Sequence, residues 1–254
     1  MSEKVVLRIL RQDSPAEPET RRFEEFAVKA APGDSIASAL FALRASPVTL
    51  DGQRVAPVAF ESACRGDRCG ACTLLVNGHV RSACRTSLLG ARPKRGPVVL
   101  EPLSKLPLVR DLIVDKSPLR AARQRLGAWL EEPTEEAHAP FALAVIDRCS
   151  ECGACFEACP ETSRDGFAGA AALNEVRLLN ALGAGAARAS ARLDAVMGPG
   201  GIADCGKARV CVEVCPEGIP LFDSILGLER DATRRWLGTL SGRRAPAAAR
   251  PGRK

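Results

Sequence analysis

Alternating apolar and polar positions predict β-strands in the first part of the chain. Residues 5–12 (VVLRILRQ) and 21–28 (RRFEEFAV) both alternate, and a polar segment containing proline separates them. This pattern predicts an opening hairpin. A further apolar run at 98–103 predicts the strand that closes this region.

Helical periodicity appears first after Gly33 and then dominates the chain beyond Pro107. The first helix should begin at an N-cap formed by Asp34 or Ser35 and bury one apolar face. That face comprises Ile36, Ala39, Leu40 and Leu43. The later pattern predicts helix in the segments 109–130, 171–182, 187–197 and 216–237, with an acidic, proline-bounded connection at 131–140.

The length and the cysteine count limit the class of protein. A chain of 254 residues can bury one or two ordinary cores without disulfides, so its 11 cysteines need another explanation. The charged N-terminus does not resemble a secretory signal, and no apolar run reaches the ~18 residues of a membrane helix. We therefore expect a reducing compartment, where clustered cysteines bind metal.

The positive charge is concentrated at the C-terminus. Residues 241–254 contain five basic residues and no acid, and so carry five of the six net positive charges. We expect this segment to be a disordered basic tail. Because tyrosine is absent and aromatic residues make up only 4%, stacking platforms for bases are missing and a nucleic-acid partner is not expected.

The first cysteine group has the spacing of a plant-type [2Fe–2S] site. Its members are Cys64, Cys69, Cys72 and Cys84. Asn77-Gly78 predicts a two-residue hairpin turn, which places Val76 opposite His79 and Cys72 opposite Ala83, so that Cys84 returns close to Cys72. Together with the strand–strand–helix opening, this loop predicts a β-grasp ferredoxin domain. Zinc is the alternative, although the four-residue first loop and the lack of histidine ligands disfavour it.

Two further groups repeat the bacterial ferredoxin run, in which the fourth cysteine serves the other cluster. That crossing assigns Cys149, Cys152, Cys155 and Cys215 to a [4Fe–4S] cluster. It assigns Cys159, Cys205 and Cys211 to a second cluster, in which Ala208 stands at the place of a fourth cysteine. Three thiolates indicate [3Fe–4S]; the alternatives are a [4Fe–4S] cubane completed by another group or water, and structural zinc.

The remaining residues of interest have no ligand context. His79 is interpreted as a hairpin residue and His138 as a linker residue, while Trp129 and Trp236 are expected to lie in the core. The sequence shows no nucleotide loop, acid–base pair or nucleophile constellation, so no catalytic residue is assigned.

Three clusters in this order resemble the iron–sulfur subunit of succinate dehydrogenase and fumarate reductase, of the type found in menaquinone-using bacteria. The stretches LPLVRDLIVDKS (106–117), FAGAAALNEVRLLNA (167–181) and GGIADCGKARVCVEVCPEGIP (200–220) also look like that family, within a resemblance spanning roughly 5–237. It implies an α+β protein: a β-grasp [2Fe–2S] domain at 1–106 and an α-helical dicluster ferredoxin-type domain at 107–240, before the tail at 241–254.

The resemblance also implies partners and a pathway. A flavoprotein subunit would oxidise succinate at its FAD, and electrons would pass through the 2Fe, 4Fe and 3Fe clusters to menaquinone or another quinone near the last one. A cytochrome b anchor subunit would hold the chain peripherally at the cytoplasmic side of the bacterial inner membrane. Ubiquinone-type members have aromatic residues after the Cys-Pro at 159–160 and a histidine at 206, and both are missing here. Fumarate reduction in the reverse direction and a soluble electron carrier are the alternative functions.

Overall fold

The computed structural model describes residues 3–64, 66, 68–130, 143–163 and 166–240. These residues form two compact units. The first unit is Met1–Lys116 together with Ser150–Glu157, and the second is Ser117–Cys149 together with Ala158–Lys254. The first unit thus includes a segment far along the chain, whereas the sequence placed all of 107–240 in one helical domain. The expected linker at 131–140, His138 and the basic tail lie outside the described residues.

A five-stranded mixed sheet organises the first unit. The strands are β1 (Glu3–Arg11), β2 (Arg22–Ala30), β3 (Thr73–Val76), β4 (His79–Ser82) and β5 (Val98–Glu101). Strand β1 pairs antiparallel with β2, as the predicted hairpin requires, and parallel with β5; β3 pairs antiparallel with both β5 and β4. The strand order is β2-β1-β5-β3-β4.

Helix α1 (Ile36–Ala45) covers the core of this unit. Ser35 is its N-cap, and its side chain forms a reciprocal capping box with Ser38. The predicted apolar face is confirmed, because Ile36, Ala39, Leu40 and Leu43 are all buried in one cluster with the sheet residues. The same cluster includes Cys72.

The helix predicted from residue 109 is wrong over its first part. Leu108–Arg110 (β6) and Ile113–Val114 (β7) instead form a small antiparallel pair. Between them Asp111 has a φ of 46°, is fully buried, and forms an ion pair of 3.0 Å with Arg11 of β1. Its carboxylate also accepts bonds from the backbone N–H groups of Gln12 and Ala59, at 3.2 and 2.9 Å. These contacts hold the segment to the first unit, and helix α2 begins only at Ser117.

Helices build the second unit. The helices are α2 (Ser117–Arg125), α3 (Ala154–Ala158, which begins in the first unit), α4 (Gly169–Ala181), α5 (Ala186–Met197), α6 (Val210–Glu213) and α7 (Leu221–Leu240). Helix α4 contacts α2, α5 and α7, and α5 also contacts α7. The buried Arg192 of α5 donates to the carbonyls of Gly127, Trp129 and Gly185, and so joins the segment after α2 to α5 and the turn before it.

The expectation that both tryptophans lie in the core is wrong. Trp129 is 41% exposed and Trp236 is 55% exposed. The ring of Trp129 is covered from one side by the guanidinium of Arg188, 4.5 Å from its centroid. Within the described residues, no helix is both long enough and apolar enough to cross a membrane.

Candidate metal centres

The first cysteine loop directs backbone N–H groups at the sulfur of Cys64. The amides of Gly66, Arg68 and Cys69 each donate to Cys64 Sγ at 3.4 Å. These donors, that of Arg68 first, lower the pKa of the Cys64 thiol to about 6. Because metal ligation requires the thiolate, the loop suits an iron ligand.

The hairpin after this loop returns the fourth cysteine to the same end of the sheet. Val76 pairs with His79 as predicted, and the N–H of Ala83 donates to the carbonyl of Cys72 at 3.0 Å. The next residue is Cys84, which packs against the core cluster that contains Cys72. The predicted hairpin register is confirmed, and His79 is a hairpin residue as predicted; its side chain is exposed.

Gly70 brings the first cysteine loop into contact with the second. A Cβ atom added at Gly70 would lie 2.6 Å from Cβ of Cys152 and 2.8 Å from Oγ of Ser150, so only glycine allows this approach. Its φ of +62° also favours glycine. The carbonyl of Gly70 accepts bonds from Thr73 Oγ1 at 2.9 Å and from Lys116 Nζ at 3.3 Å. Both loops lie in the first unit.

Glu157 fixes the segment that carries Cys152 and Cys155, both of which are buried. The Glu157 carboxylate is itself buried and accepts bonds from Ser104 Oγ at 2.6 Å and from the Lys105 N–H at 3.1 Å. These bonds explain why Ser150–Glu157 belongs to the first unit. The N–H of Ala154 donates to Cys152 Sγ at 3.5 Å.

In the second unit, buried polar residues position Cys149. The buried amide of Asn174 on α4 donates to the carbonyl of Ile146 at 2.9 Å and accepts from Ser224 Oγ on α7 at 2.8 Å. This holds the short 3₁₀ turn Ile146–Arg148 that directly precedes Cys149. Cys215, the other member of the predicted 4Fe set in this unit, is half-buried, and its N–H donates to the carbonyl of Val212 at 3.4 Å.

The three cysteines assigned to the last cluster lie near one another in the second unit. Burial raises the pKa of the Cys211 thiol, and the charges of Cys205 and Cys159 raise it further. Such repulsion indicates that the three thiols lie close together, as the ligands of one cluster must.

The backbone around Ala208 repeats the backbone around Cys152. Glu151 and Gly153, which flank Cys152, have φ values of 53° and 84°. Lys207 and Arg209, which flank Ala208, have φ values of 57° and 63°. Non-glycine residues seldom adopt this conformation, and where they do so at a site, function is a reasonable hypothesis. Ala208 therefore occupies a loop with the local shape of a ligand loop.

Side chains on both sides of Ala208 tie this loop to α7. Lys207 Nζ forms an ion pair of 2.8 Å with Glu229 Oε1, and the guanidinium of Arg209 lies 5.0 Å from the ring centroid of Phe222. These contacts help to hold two non-glycine residues in the left-handed conformation. Ala208 itself is exposed, so space for a larger side chain is present.

Position 206 is occupied differently from the ubiquinone-type pattern. A Cβ atom at Gly206 would overlap Oε1 of Glu161, so the Glu161 carboxyl group fills the space beside Gly206. Glu161 follows the Cys159-Pro160 pair, where the ubiquinone-type pattern has aromatic residues. Residues 161 and 206, at which this sequence departs from the ubiquinone-type pattern, are thus in contact.

The predicted cysteine sets are distributed over the two units. The 2Fe set lies in the first unit and the 3Fe set in the second, whereas the 4Fe set has Cys152 and Cys155 in the first and Cys149 and Cys215 in the second. Among the described residues, no three His, Cys, Asp or Glu side chains are placed to hold a single metal ion.

Sequence reasoning missed the polar residues that support the cysteines. Arg123 and Asn174 bind Cys149 and Ile146, which lie 26 and 28 positions away along the chain, and Glu157, two residues after Cys155, binds Lys105 52 positions earlier. No local motif marks them. The one available signal is a polar residue at an apolar position of a helix, as for Asn174 between Leu173 and Val176.

Comparison with known proteins agrees with this geometry. Residues 6–121 match the model of the 2Fe-2S iron-sulfur cluster binding domain, and residues 145–219 match that of the 4Fe-4S dicluster domain. The succinate dehydrogenase iron-sulfur subunit of Bacillus subtilis (strain 168) is 37% identical over 246 residues, which cover 91% of this chain and 94% of that protein. This chain belongs to the family of succinate dehydrogenase iron–sulfur subunits.

Other members and a solved structure are also similar. The fumarate reductase iron-sulfur subunit of Wolinella succinogenes is 28% identical over 91% of this chain and 98% of its own length. A chain of the structure described as "Mycobacterium smegmatis Sdh1 complex in the apo form" shares the fold, with a TM-score of 0.72 at 20% identity, over 92% of this chain and 98% of that one. The α+β fold class, with a [2Fe–2S] domain followed by a dicluster domain, is confirmed.

Family membership establishes the general function. This succinate dehydrogenase-type subunit is an iron–sulfur protein that transfers electrons within a multi-subunit enzyme complex.

Proposed function

We propose that this subunit conducts electrons singly from the FAD of a flavoprotein subunit to a quinone, in a complex that oxidises succinate. The contact of Gly70 with Cys152 is the observation that carries the proposal. Electron transfer slows steeply with distance, and this contact brings the loop of the first cysteine group against a cysteine of the second. When bound, the iron–sulfur clusters supply one-electron carriage.

The ligand assignment follows the cysteine groups. The [2Fe–2S] ligands are Cys64, Cys69, Cys72 and Cys84; the [4Fe–4S] ligands are Cys149, Cys152, Cys155 and Cys215; the [3Fe–4S] ligands are Cys159, Cys205 and Cys211. The amides directed at Cys64 support the first set. The last set is supported by the pKa of the Cys211 thiol, which the charges of Cys205 and Cys159 raise because these cysteines lie close to it.

The third cluster is proposed to be [3Fe–4S] because its loop offers no fourth thiolate. The residues on either side of Ala208 are left-handed, as are those on either side of Cys152. The fourth ligand is therefore missing because position 208 has an alanine side chain, and not because the backbone differs. Cluster type is one determinant of reduction potential. A three-iron cluster usually has a higher potential than a four-iron cluster, which suits the last carrier before quinone.

The partners are proposed by analogy with the family. We assign a flavoprotein subunit as electron donor and a cytochrome b anchor subunit that holds this chain at the cytoplasmic side of the bacterial membrane. Menaquinone is the favoured acceptor, since Gly206 and Glu161 replace the histidine and the aromatic residues of the ubiquinone-type pattern. Fumarate reduction is the second candidate, and the Wolinella relative is the observation in its favour.

The test is purification of the tagged chain from membranes of its own organism. We expect a flavoprotein and a haem-containing anchor to co-purify, and the complex to reduce a menaquinone analogue with succinate. Cys72→Ser should abolish quinone reduction while succinate oxidation by an acceptor that reacts at the flavin remains. A chain that purifies alone and reduces quinone unaided would contradict the proposal. If the complex reduced fumarate with reduced menaquinone faster than it oxidised succinate, the second candidate would be favoured.

A further inference from the structure

Arg123 connects a proposed cysteine ligand to the half-buried carboxylate of Glu175 within the second unit. Its Nη2 lies 3.9 Å from Sγ of Cys149, and its Nε forms an ion pair of 2.7 Å with Oε2 of Glu175. Arg123 belongs to α2 and Glu175 to α4, two helices in contact. The Arg123 side chain is only 13% exposed, so solvent screens its charge weakly.

The geometry of the guanidinium group determines which of its nitrogens faces the cysteine. The planar group donates through separate nitrogens, so Nε can face Glu175 while Nη2 faces the sulfur. The ion pair at Nε fixes the plane of the group, and with it the position of Nη2. Glu175 therefore orients the positive charge towards the cysteine.

We propose that Arg123 is a positioning residue that raises the reduction potential of the [4Fe–4S] cluster, by donating to the Cys149 thiolate. The inference rests on the proposed function, in which Cys149 is a ligand of that cluster. Reduction adds negative charge to the cluster and its sulfurs, and a nearby cationic donor stabilises the reduced form more than the oxidised form. Hydrogen bonds to sulfur and local charge are established determinants of cluster potential.

Loss of Arg123 should lower this potential through two effects of the same sign. The donor to Cys149 Sγ disappears, and the negative charge of Glu175 near the cysteine segment is no longer offset by the charge of Arg123. Removing both groups together should therefore lower the potential less than removing Arg123 alone.

The experiment is a redox titration of the intact complex, with the reduced [4Fe–4S] signal followed by EPR. In Arg123→Gln we expect a more negative midpoint potential for this cluster, with the [2Fe–2S] and [3Fe–4S] midpoints unchanged. Arg120→Gln is the matched control, because it removes the same charge from an exposed position one turn earlier on α2, and it should leave the midpoint unchanged. Arg123→Gln combined with Glu175→Gln should give an intermediate value.

A second variant keeps the test valid if Arg123→Gln fails to retain its cluster. Arg123→Lys keeps the charge but offers a single ammonium group for both Cys149 and Glu175. Its midpoint potential should therefore fall between those of wild type and Arg123→Gln. If Arg123→Gln loses its cluster, the midpoint of Arg123→Lys should still lie below that of wild type. A midpoint in Arg123→Lys equal to that of wild type, or equal shifts in Arg123→Gln and Arg120→Gln, would overturn the inference. Absence of any [4Fe–4S] signal from the wild-type complex would instead overturn the proposed function.

Discussion

At the scale of single residues, Ala208 is the position that we propose sets the iron content of the last cluster. Its neighbours Lys207 and Arg209 share the left-handed conformation found on either side of Cys152. Ala208→Cys should therefore present a fourth thiolate without a change of backbone, and one more iron should bind per chain. Iron analysis and loss of the oxidised-state EPR signal would show the conversion.

The conversion should also affect turnover. A four-iron cluster usually has a lower potential than a three-iron cluster, so quinone reduction should slow while succinate oxidation with a flavin-site acceptor is little changed. An Ala208→Cys protein with unchanged iron content and an unchanged EPR signal would show that the residue does not determine the cluster type.

Gly70 is the residue whose size governs the contact between the first two cysteine loops. In Gly70→Ala, the new Cβ would overlap Cys152 and Ser150, so the loops must separate. We expect slower electron transfer from the first cluster to the second, together with a weaker magnetic interaction between their reduced forms in EPR spectra.

The control for backbone strain is Gly52→Ala. Gly52 also has a positive φ, of +86°, but a Cβ there would have no neighbour within 4 Å. Gly52→Ala should lower the free energy of unfolding by ~1–2 kcal/mol, because alanine is strained in the left-handed conformation. It should not change the rate of electron transfer. Equal effects of the two substitutions on the transfer rate would refute the role assigned to the Gly70 contact.

At the scale of elements, the pair β6–β7 depends on the buried charge of Asp111. In Asp111→Ala, Arg11 loses one carboxylate partner, and the N–H groups of Gln12 and Ala59 lose their acceptor. Removing one member of a buried ion pair lowers the free energy of unfolding by about 3–5 kcal/mol, so the midpoint temperature of unfolding should fall markedly. This midpoint can be measured by following the loss of visible cluster absorption on heating.

A surface pair provides the comparison. Asp13 and Arg22 are 3.6 Å apart and both are 42% exposed, so Asp13→Ala should cost at most about 1 kcal/mol. If Asp111→Ala were no more destabilising than Asp13→Ala, the claim that Asp111 anchors these strands would be wrong.

The elements that the sequence predicts correctly are those with local signals. The turn at Asn77-Gly78 determines the register of its hairpin, and the Ser35 cap and apolar spacing determine α1. The strands β6 and β7 were missed because Asp111 pairs with Arg11, which is 100 positions earlier. An apolar run such as LIV cannot show by itself that a distant buried charge holds it extended.

At the scale of the whole molecule, the cysteine spacing predicted the chemistry, but the compact units divide the chain differently. The segment Ser150–Glu157 belongs with the first unit because Glu157 binds Ser104 and Lys105. Side-chain contacts of this kind have no periodicity along the chain. The cluster ligands could thus be proposed from the sequence, whereas the residues that support and tune them required the structure.

The central claim is that this chain conducts electrons through three clusters of different type. EPR spectroscopy of the native complex, before and after reduction, tests it most directly. The oxidised complex should show a [3Fe–4S] signal, which succinate should remove as the [2Fe–2S] signal appears, and stronger reduction should add the [4Fe–4S] signal. An oxidised complex without that first signal, with iron analysis giving one more iron per chain, would contradict the account.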